Sequence, residues 1–158
     1  LRLMSVPLLG EVMSVPSRRN VSALLRTIFY DPDAIPPEII EELYGYRKSP
    51  GAKKAVLKAL RSGVSLAGLH KSLLMLGKAR ALRLPTLIAW GENDRIAPAT
   101  QAHRAQQAIE GAQLHIFPSC GHWPQMERAE EFNPLVAGFV EEVYRQKAVA
   151  SGGPGVQP

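Results

Sequence analysis

Two short polar loops hold the residues whose chemistry stands out. The first, running from Gly91 to Pro98, carries Asp94; the second, from Ser119 to Pro124, carries His122. An imidazole exchanges its proton near neutral pH, which suits a general base. A carboxylate that accepts a hydrogen bond from the ring fixes its tautomer and stabilises the imidazolium formed when the ring takes a proton. Each residue also has a plainer reading. Asp94, beside Asn93 and close to Gly91, has the makings of a turn former. His122, followed by Trp123 and Pro124, has those of a half-buried structural residue. The order of the elements raises the pair above these readings, because each loop follows a short apolar run.

The first run, Leu84 to Gly91, is apolar without alternation and contains Leu87, Ile88 and Trp90. That is the pattern of a parallel strand buried on both faces. A helix closed by Gly111 is expected over residues 99–112, and a second strand over Ala112 to Phe117. The last helix is expected from Met126 to Lys147, with Phe132, Leu135, Val136, Phe139, Val140 and Val143 facing a core and Pro134 kinking or delaying its start. The order strand, loop, helix, strand, loop, helix is a βαβα unit with a right-handed crossover. In open parallel sheets the chemistry gathers in loops at the carboxyl ends of the strands. If the two strands are neighbours, Asp94 and His122 emerge on one edge. Two parallel strands cannot cover themselves, so the chain is expected to be incomplete or to need a partner.

The earlier part reads as helical. A loop-rich stretch runs to about Asn20. Asn20 and Ser22 are both suitable N-caps for the helix that follows, which should stop by Asp31-Pro32. Pro36 and Pro37 sit where a second helix tolerates them, and Ile39, Ile40, Leu43 and Tyr44 fall on nearly one of its faces. Ser49-Pro50-Gly51 breaks it. A third helix is expected over residues 52–63, and a fourth, capped by Ser65, over 66–82. No strand is expected among them. The chain thus divides into a helical region, 1–83, a βαβα region, 84–147, and a tail, 148–158, whose Gly and Pro content should leave it frayed.

Composition narrows the function classes. The chain has 158 residues, 46% hydrophobic and 21% charged, which is the balance of a folded domain rather than a disordered one. The net charge is +5, with a denser basic stretch from Arg47 to Arg61. No aromatic residues interleave with that stretch to stack bases, so it reads as a solvated helix face and no nucleic-acid partner is expected. A single cysteine, Cys120, excludes an intrachain disulfide and a cysteine metal cluster. It fits a reducing, cytoplasmic setting. No uncharged stretch approaches the roughly 20 residues that cross a bilayer, and no membrane partner is expected. A chain that opens on Leu1 and is organised this way reads as cut from something longer.

The two loops then carry a resemblance. Gly91 to Asp94 matches a G-x-x-D loop after a sheet strand, and Gly121-His122 a G-H motif after the last strand. Pro124 to Glu127 matches a P-x-x-E, and the segment from Glu130 to Val140 also fits. The chain up to about Gln146 resembles the lid and C-terminal core of an α/β-hydrolase, and looks most like the meta-cleavage-product C–C hydrolases and related bacterial esterases. The resemblance implies Asp94 as the acid of a catalytic triad and His122 as its base, with Ile96 and Pro98 shaping the acid loop. It implies that the helices from about Asn20 to Gly77 form a lid. Trp123 would wall the substrate pocket or simply pack, and Phe29 and Tyr30 would line the pocket or pack between helices. The substrate would be a small ester or diketone, with no metal or organic cofactor. The implied partners are a missing N-terminal half or a second copy.

The departures are as informative as the matches. No G-x-S-x-G nucleophile elbow occurs in the sequence, and the segments that would supply oxyanion donors are missing with it. Ser119 precedes His122 too closely, against the family order, and reads as a loop residue. Cys120, two residues before His122, reads as a neighbour in the base loop. Leu43 precedes Tyr44 where the C–C hydrolases tend to carry Arg, and Arg47 comes about one turn later. An ester or lactone hydrolase is therefore an equal reading. A dehalogenase or epoxide hydrolase with an Asp nucleophile would show the same Asp–His pair. A non-catalytic fragment or partner-binding protein is the reading from another class.

Overall fold

The structure is a computed structural model that describes residues 15–65, 68–69 and 76–150. The opening stretch before Val15, residues 66–67 and 70–75 of the expected fourth helix, and the end of the tail lie outside the described residues. The chain forms two compact units, Leu1–Lys78 and Ala79–Pro158.

In the first unit, helix α1 spans Arg18–Ile28. Its N-cap is Ser17, whose hydroxyl accepts the N–H of Asn20 at 3.1 Å, so the helix starts earlier than Asn20 or Ser22 would set it. The cap side chain satisfies one of the backbone donors that a first turn leaves without a partner. Val21, Leu25 and Ile28 recur at helical spacing and are buried together with Phe29. Helix α2, Pro37–Lys48, opens with proline where no N–H is needed. Arg18 reaches across to Glu41 in a two-pronged ion pair, Nη2 to Oε2 at 2.8 Å, and stacks over the Tyr44 ring at 4.5 Å. That pair lies in solvent and orients more than it stabilises. Helix α3, Ala52–Gly63, buries Leu57.

The fourth helix does not begin at Ser65. Val64–Ser65 (β1) and Gly68–Leu69 (β2) instead pair antiparallel, where no strand was expected. Gly63 ends α3, and Gly68 lies in β2, so helical pattern alone could not carry the helix through this stretch. One helical turn, α4, follows at Leu76–Ala79.

The second unit holds the βαβα element. Strand β3, Leu87–Gly91, runs parallel to β4, Gln113–Phe117, in a register that sets Leu87 beside Gln113 and Gly91 beside Phe117. Helix α5, Thr100–Ala108, connects them and buries Ala102. It stops at Ile109, whose N–H returns to the Ala105 carbonyl; Gly111 lies in the turn beyond, with φ +72°. The final helix comes in two pieces, a single turn α6, Pro124–Glu127, and the long α7, Ala129–Ala150, broken at Arg128. Pro134 lies inside α7 and neither delays nor ends it. Phe132, Leu135, Val136, Phe139 and Val143 are partly covered, as expected, whereas Val140 is 42% exposed. Helix α7 also continues past Lys147 into the expected tail.

Strand β3 differs from its sequence pattern. Leu87, Ile88, Ala89 and Trp90 are only half-buried, not sealed on both faces. Among the described residues β3 pairs with β4 alone, so one of its edges has no neighbouring strand to shelter those side chains. Phe117, Cys120 and Ala102 are fully buried in this unit. Phe117 packs edge-on to His115 and against Phe132, with ring centroids 4.4 and 6.0 Å away.

Gly91 and Cys120 each set a constraint that an experiment can read. A Cβ on Gly91 would lie 1.8 Å from the Gly121 carbonyl oxygen and 2.6 Å from that of Cys120, both backbone atoms. Gly91→Ala is expected to destabilise the chain by about 3 kcal/mol in urea unfolding, because the β4 loop must move. Gly138→Ala, in the middle of α7 with nothing within 4 Å, is expected to stabilise it by up to about 1 kcal/mol in the same measurement. Burial pushes the Cys120 thiol up from 9.0 to about 12, with the Glu127 carboxylate adding to the shift. The folded chain therefore holds this proton where the unfolded chain has lost it. Its contribution is complete below about pH 9 and is lost as pH rises toward 12. Stability measured from pH 8 to 11 should fall less steeply in Cys120→Ala than in the parent chain.

Candidate functional site

The carboxyl ends of β3 and β4 release their loops side by side, and backbone bonds hold the loops together. The N–H of Glu92 donates to the Phe117 carbonyl at 2.9 Å, and that of Asn93 to the Cys120 carbonyl at 2.9 Å. The parallel ladder is in effect prolonged past the strand ends. Gly91, lacking a side chain, lets the Cys120–Gly121 backbone lie directly on it.

This arrangement brings Asp94 and His122 into contact. His122 Nδ1 stands 2.7 Å from Asp94 Oδ2. The other oxygen, Oδ1, accepts the N–H of Ile96 at 2.7 Å and of Ala97 at 2.8 Å. The Asp94 side chain is 3% exposed, against 35% for that of His122. A carboxylate so enclosed is costly unless its oxygens are occupied, and here both are. Since an ionised carboxylate can only accept, the ring donates from Nδ1, and Nε2 becomes its basic nitrogen. Asp94 is thus more than a turn former, although it does shape its own loop through Ile96 and Ala97. Trp90 braces the same loop, its indole N–H donating to the Ala97 carbonyl at 2.9 Å.

A hollow of about 250 Å³ opens beside the pair, lined by Trp90, Asp94, His122, Pro124 and Phe132 among others. A larger one, about 440 Å³, lies at the opposite ends of the strands, against Leu84, Pro85, Gln113, Phe139 and Val143. It contains no imidazole, so the smaller hollow is the one that adjoins the Asp94–His122 pair. Trp123 is half-buried next to His122 and does not line that hollow. Phe29 is 3% exposed, within the core of the first unit, and Tyr30 is 40% exposed.

The remaining polar residues of the base loop have definite places. Ser119 is exposed, in the turn after β4, with φ +49°, a left-handed conformation uncommon for a residue with a side chain. Cys120 is wholly buried, and its raised pKa keeps it a thiol, a poor nucleophile. Glu127 is the residue that sequence reasoning passed over, noting it only as the end of a P-x-x-E. Its Oε1 accepts the N–H of Gly121 at 3.0 Å and of Trp123 at 3.4 Å. The available signal was an acidic residue one turn into a short helix, where it can reach back to backbone donors at the helix start. Among the described residues no cluster of three or more His, Cys, Asp or Glu side chains is placed to hold a metal ion.

Comparison with known proteins agrees with this geometry. The pattern of the alpha/beta hydrolase fold family matches residues 16–129. A 2-hydroxy-6-oxononadienedioate/2-hydroxy-6-oxononatrienedioate hydrolase of a Pseudomonas species is 31% identical over 126 residues, which cover 79% of this chain and 42% of that protein. A 2-hydroxy-6-oxo-6-phenylhexa-2,4-dienoate hydrolase of Burkholderia cepacia is 29% identical over 137 residues, covering 85% of this chain and 46% of that one. Among solved structures, a meta-cleavage product hydrolase from Pseudomonas fluorescens superimposes with a TM-score of 0.69 at 28% identity, over 84% of this chain and 49% of that one. The chain therefore spans less than half the length of these relatives. With the parallel β3–β4 pair, the shared sequence pattern and the common backbone in agreement, the chain belongs to the alpha/beta hydrolase fold family.

Proposed function

We propose that this chain supplies the acid and base of a hydrolase whose nucleophile lies outside these 158 residues. The observation that carries the reading is the Asp94–His122 bond of 2.7 Å, with the second carboxylate oxygen held by two backbone N–H groups. In the complete enzyme a serine hydroxyl gives its proton to His122 Nε2 and attacks a substrate carbonyl. Asp94 holds the ring in the tautomer that can receive that proton and stabilises the imidazolium. The imidazolium then protonates the departing group, an acyl-enzyme remains, and His122 activates the water that releases it. The substrate class follows the relatives: 2-hydroxy-6-oxodienoates cleaved at a C–C bond, with carboxylic esters as the second class open to the same steps. No metal or organic cofactor enters them.

On this reading residues 1–83 act as the lid and 84–147 as part of the catalytic core. Trp123 stands beside the base, and Phe29 and Tyr30 belong to the lid. The half-buried side chains of β3 support a further element of the reading, that the rest of the sheet joins at its open edge. That rest is the nucleophile-bearing half or, failing it, a second copy of the chain.

The test uses the enzyme that includes the nucleophile, assayed on a 2-hydroxy-6-oxodienoate and on p-nitrophenyl butyrate. His122→Ala is expected to lower kcat at least about 1,000-fold and Asp94→Asn about 10,000-fold on whichever substrate is turned over. Unchanged turnover in His122→Ala removes the assignment. Turnover of the ester alone removes the C–C hydrolase class and leaves the acid–base pair standing.

A further inference from the structure

Glu127 lies outside the acid–base pair, yet one of its oxygens touches the loop on both sides of the histidine. Oε1 accepts from Gly121 N at 3.0 Å and from Trp123 N at 3.4 Å, and the residue between those two amides is His122. The Cys120 thiol points at the same oxygen from 3.9 Å. The opposite side of the loop is fixed by other means. The Asn93 N–H holds the Cys120 carbonyl, and the Gly121 carbonyl rests on Gly91. The loop itself has no regular ladder, and it enters through Ser119 at φ +49°, a conformation that costs energy unless its surroundings enforce it.

We propose that Glu127 is a positioning residue for His122: its carboxylate gathers the two flanking N–H groups and so sets the backbone from which the imidazole reaches Asp94. The proposal rests on the reading of Asp94 and His122 as the acid–base pair. A helix cap alone would require only the bond to Trp123, at the N-cap of α6. The shorter bond goes to Gly121, a buried residue outside the helix. Hydrogen bonds to an ionised carboxylate are roughly twice as strong as neutral ones, so the charge of Glu127 matters as well as its reach. A shift of the histidine by a fraction of an ångström is enough to weaken a proton transfer, and a misplacement of about 1 Å costs roughly 100-fold in rate.

The experiment has two arms. In the 158-residue chain, proton NMR follows exchange of the His122 Nδ1–H with water, with His122→Gln assigning the signal. Glu127→Gln keeps an oxygen at the same reach without the charge, and its Nδ1–H is expected to exchange about tenfold faster, in line with the weaker neutral bonds. Glu127→Ala should lose the protected signal while the circular dichroism of the helices is retained. If Glu127→Ala unfolds, Glu127→Gln decides. Exchange in Glu127→Gln equal to that of the parent overturns the proposal, as does a protected signal in folded Glu127→Ala. In the complete enzyme, Glu127→Ala should lower kcat about 100-fold with KM unchanged, and Glu127→Gln should recover most of it. A change in KM alone overturns the proposal. Should His122→Ala leave turnover intact, the acid–base reading falls, and the exchange measurement still decides whether Glu127 sets the ring.

Discussion

The parallel register of β3 and β4 places Gly91 beside Phe117, and every feature of the site follows from that alignment. Both loops leave the strands at the same height. The loop after β4 must then fold back over the end of β3, and it can do so only because Gly91 presents no side chain to the Gly121 carbonyl. Side chains that are 28 residues apart in sequence thereby come within a hydrogen bond of each other. The conformational entropy of the two loops is opposed by bonds between their backbones, Glu92 to Phe117 and Asn93 to Cys120, as well as by the Asp94–His122 bond.

Burial of the Asp94 carboxylate is the second constraint. A carboxylate with a nearly inaccessible side chain needs acceptor positions filled, and the Asp94 loop turns so that its own Ile96 and Ala97 amides fill one oxygen. The second oxygen is left for the imidazole. The residue that supplies the negative charge therefore also dictates the conformation of its loop, and Trp90 fixes the far end of that loop through the Ala97 carbonyl. Cys120 shows the same low-polarity surroundings from the other side: burial holds its thiol protonated. Burial thus leaves the Cys120 thiol a poor nucleophile two residues from His122.

How much of this was legible in the sequence depended on the range of the interaction. Strands β3 and β4 were, because Leu87 to Trp90 is an unbroken apolar run and Leu114 to Phe117 a short one interrupted only by His115, both bounded by turn residues. Asp94 and His122 were, because a parallel pair leaves its loops on one edge. The cap of α1 was misplaced, since Ser17, Asn20 and Ser22 are equivalent by type and only the accepted Asn20 N–H distinguishes Ser17. The β1–β2 pair was not legible, because a two-residue ladder has no periodicity to read. The brace from Glu127 was hidden for a different reason. Its partners are backbone amides, so its one trace in the sequence is an acidic residue one turn into a short helix.

The largest departure concerns β3, and it follows from what a strand pattern encodes. An apolar run without alternation specifies the environment a strand is suited to, whereas its burial in the fold depends on the neighbours it has. Leu87, Ile88, Ala89 and Trp90 have the composition of a central strand and the exposure of an edge strand. Helices α5 and α7 both touch β3, so its exposure is traced to the edge rather than to a bare face. A flat apolar edge is a hazard that proteins blunt with charge, proline or a bulge. Between Leu87 and Gly91 there is none of these. The strand is therefore built to receive another strand, and in a family whose matched members are more than twice as long as the shared region, the remaining sheet is the fitting occupant. On the proposed reading, one and the same piece of structure would supply the strand that β3 lacks among the described residues and the nucleophile that His122 would serve.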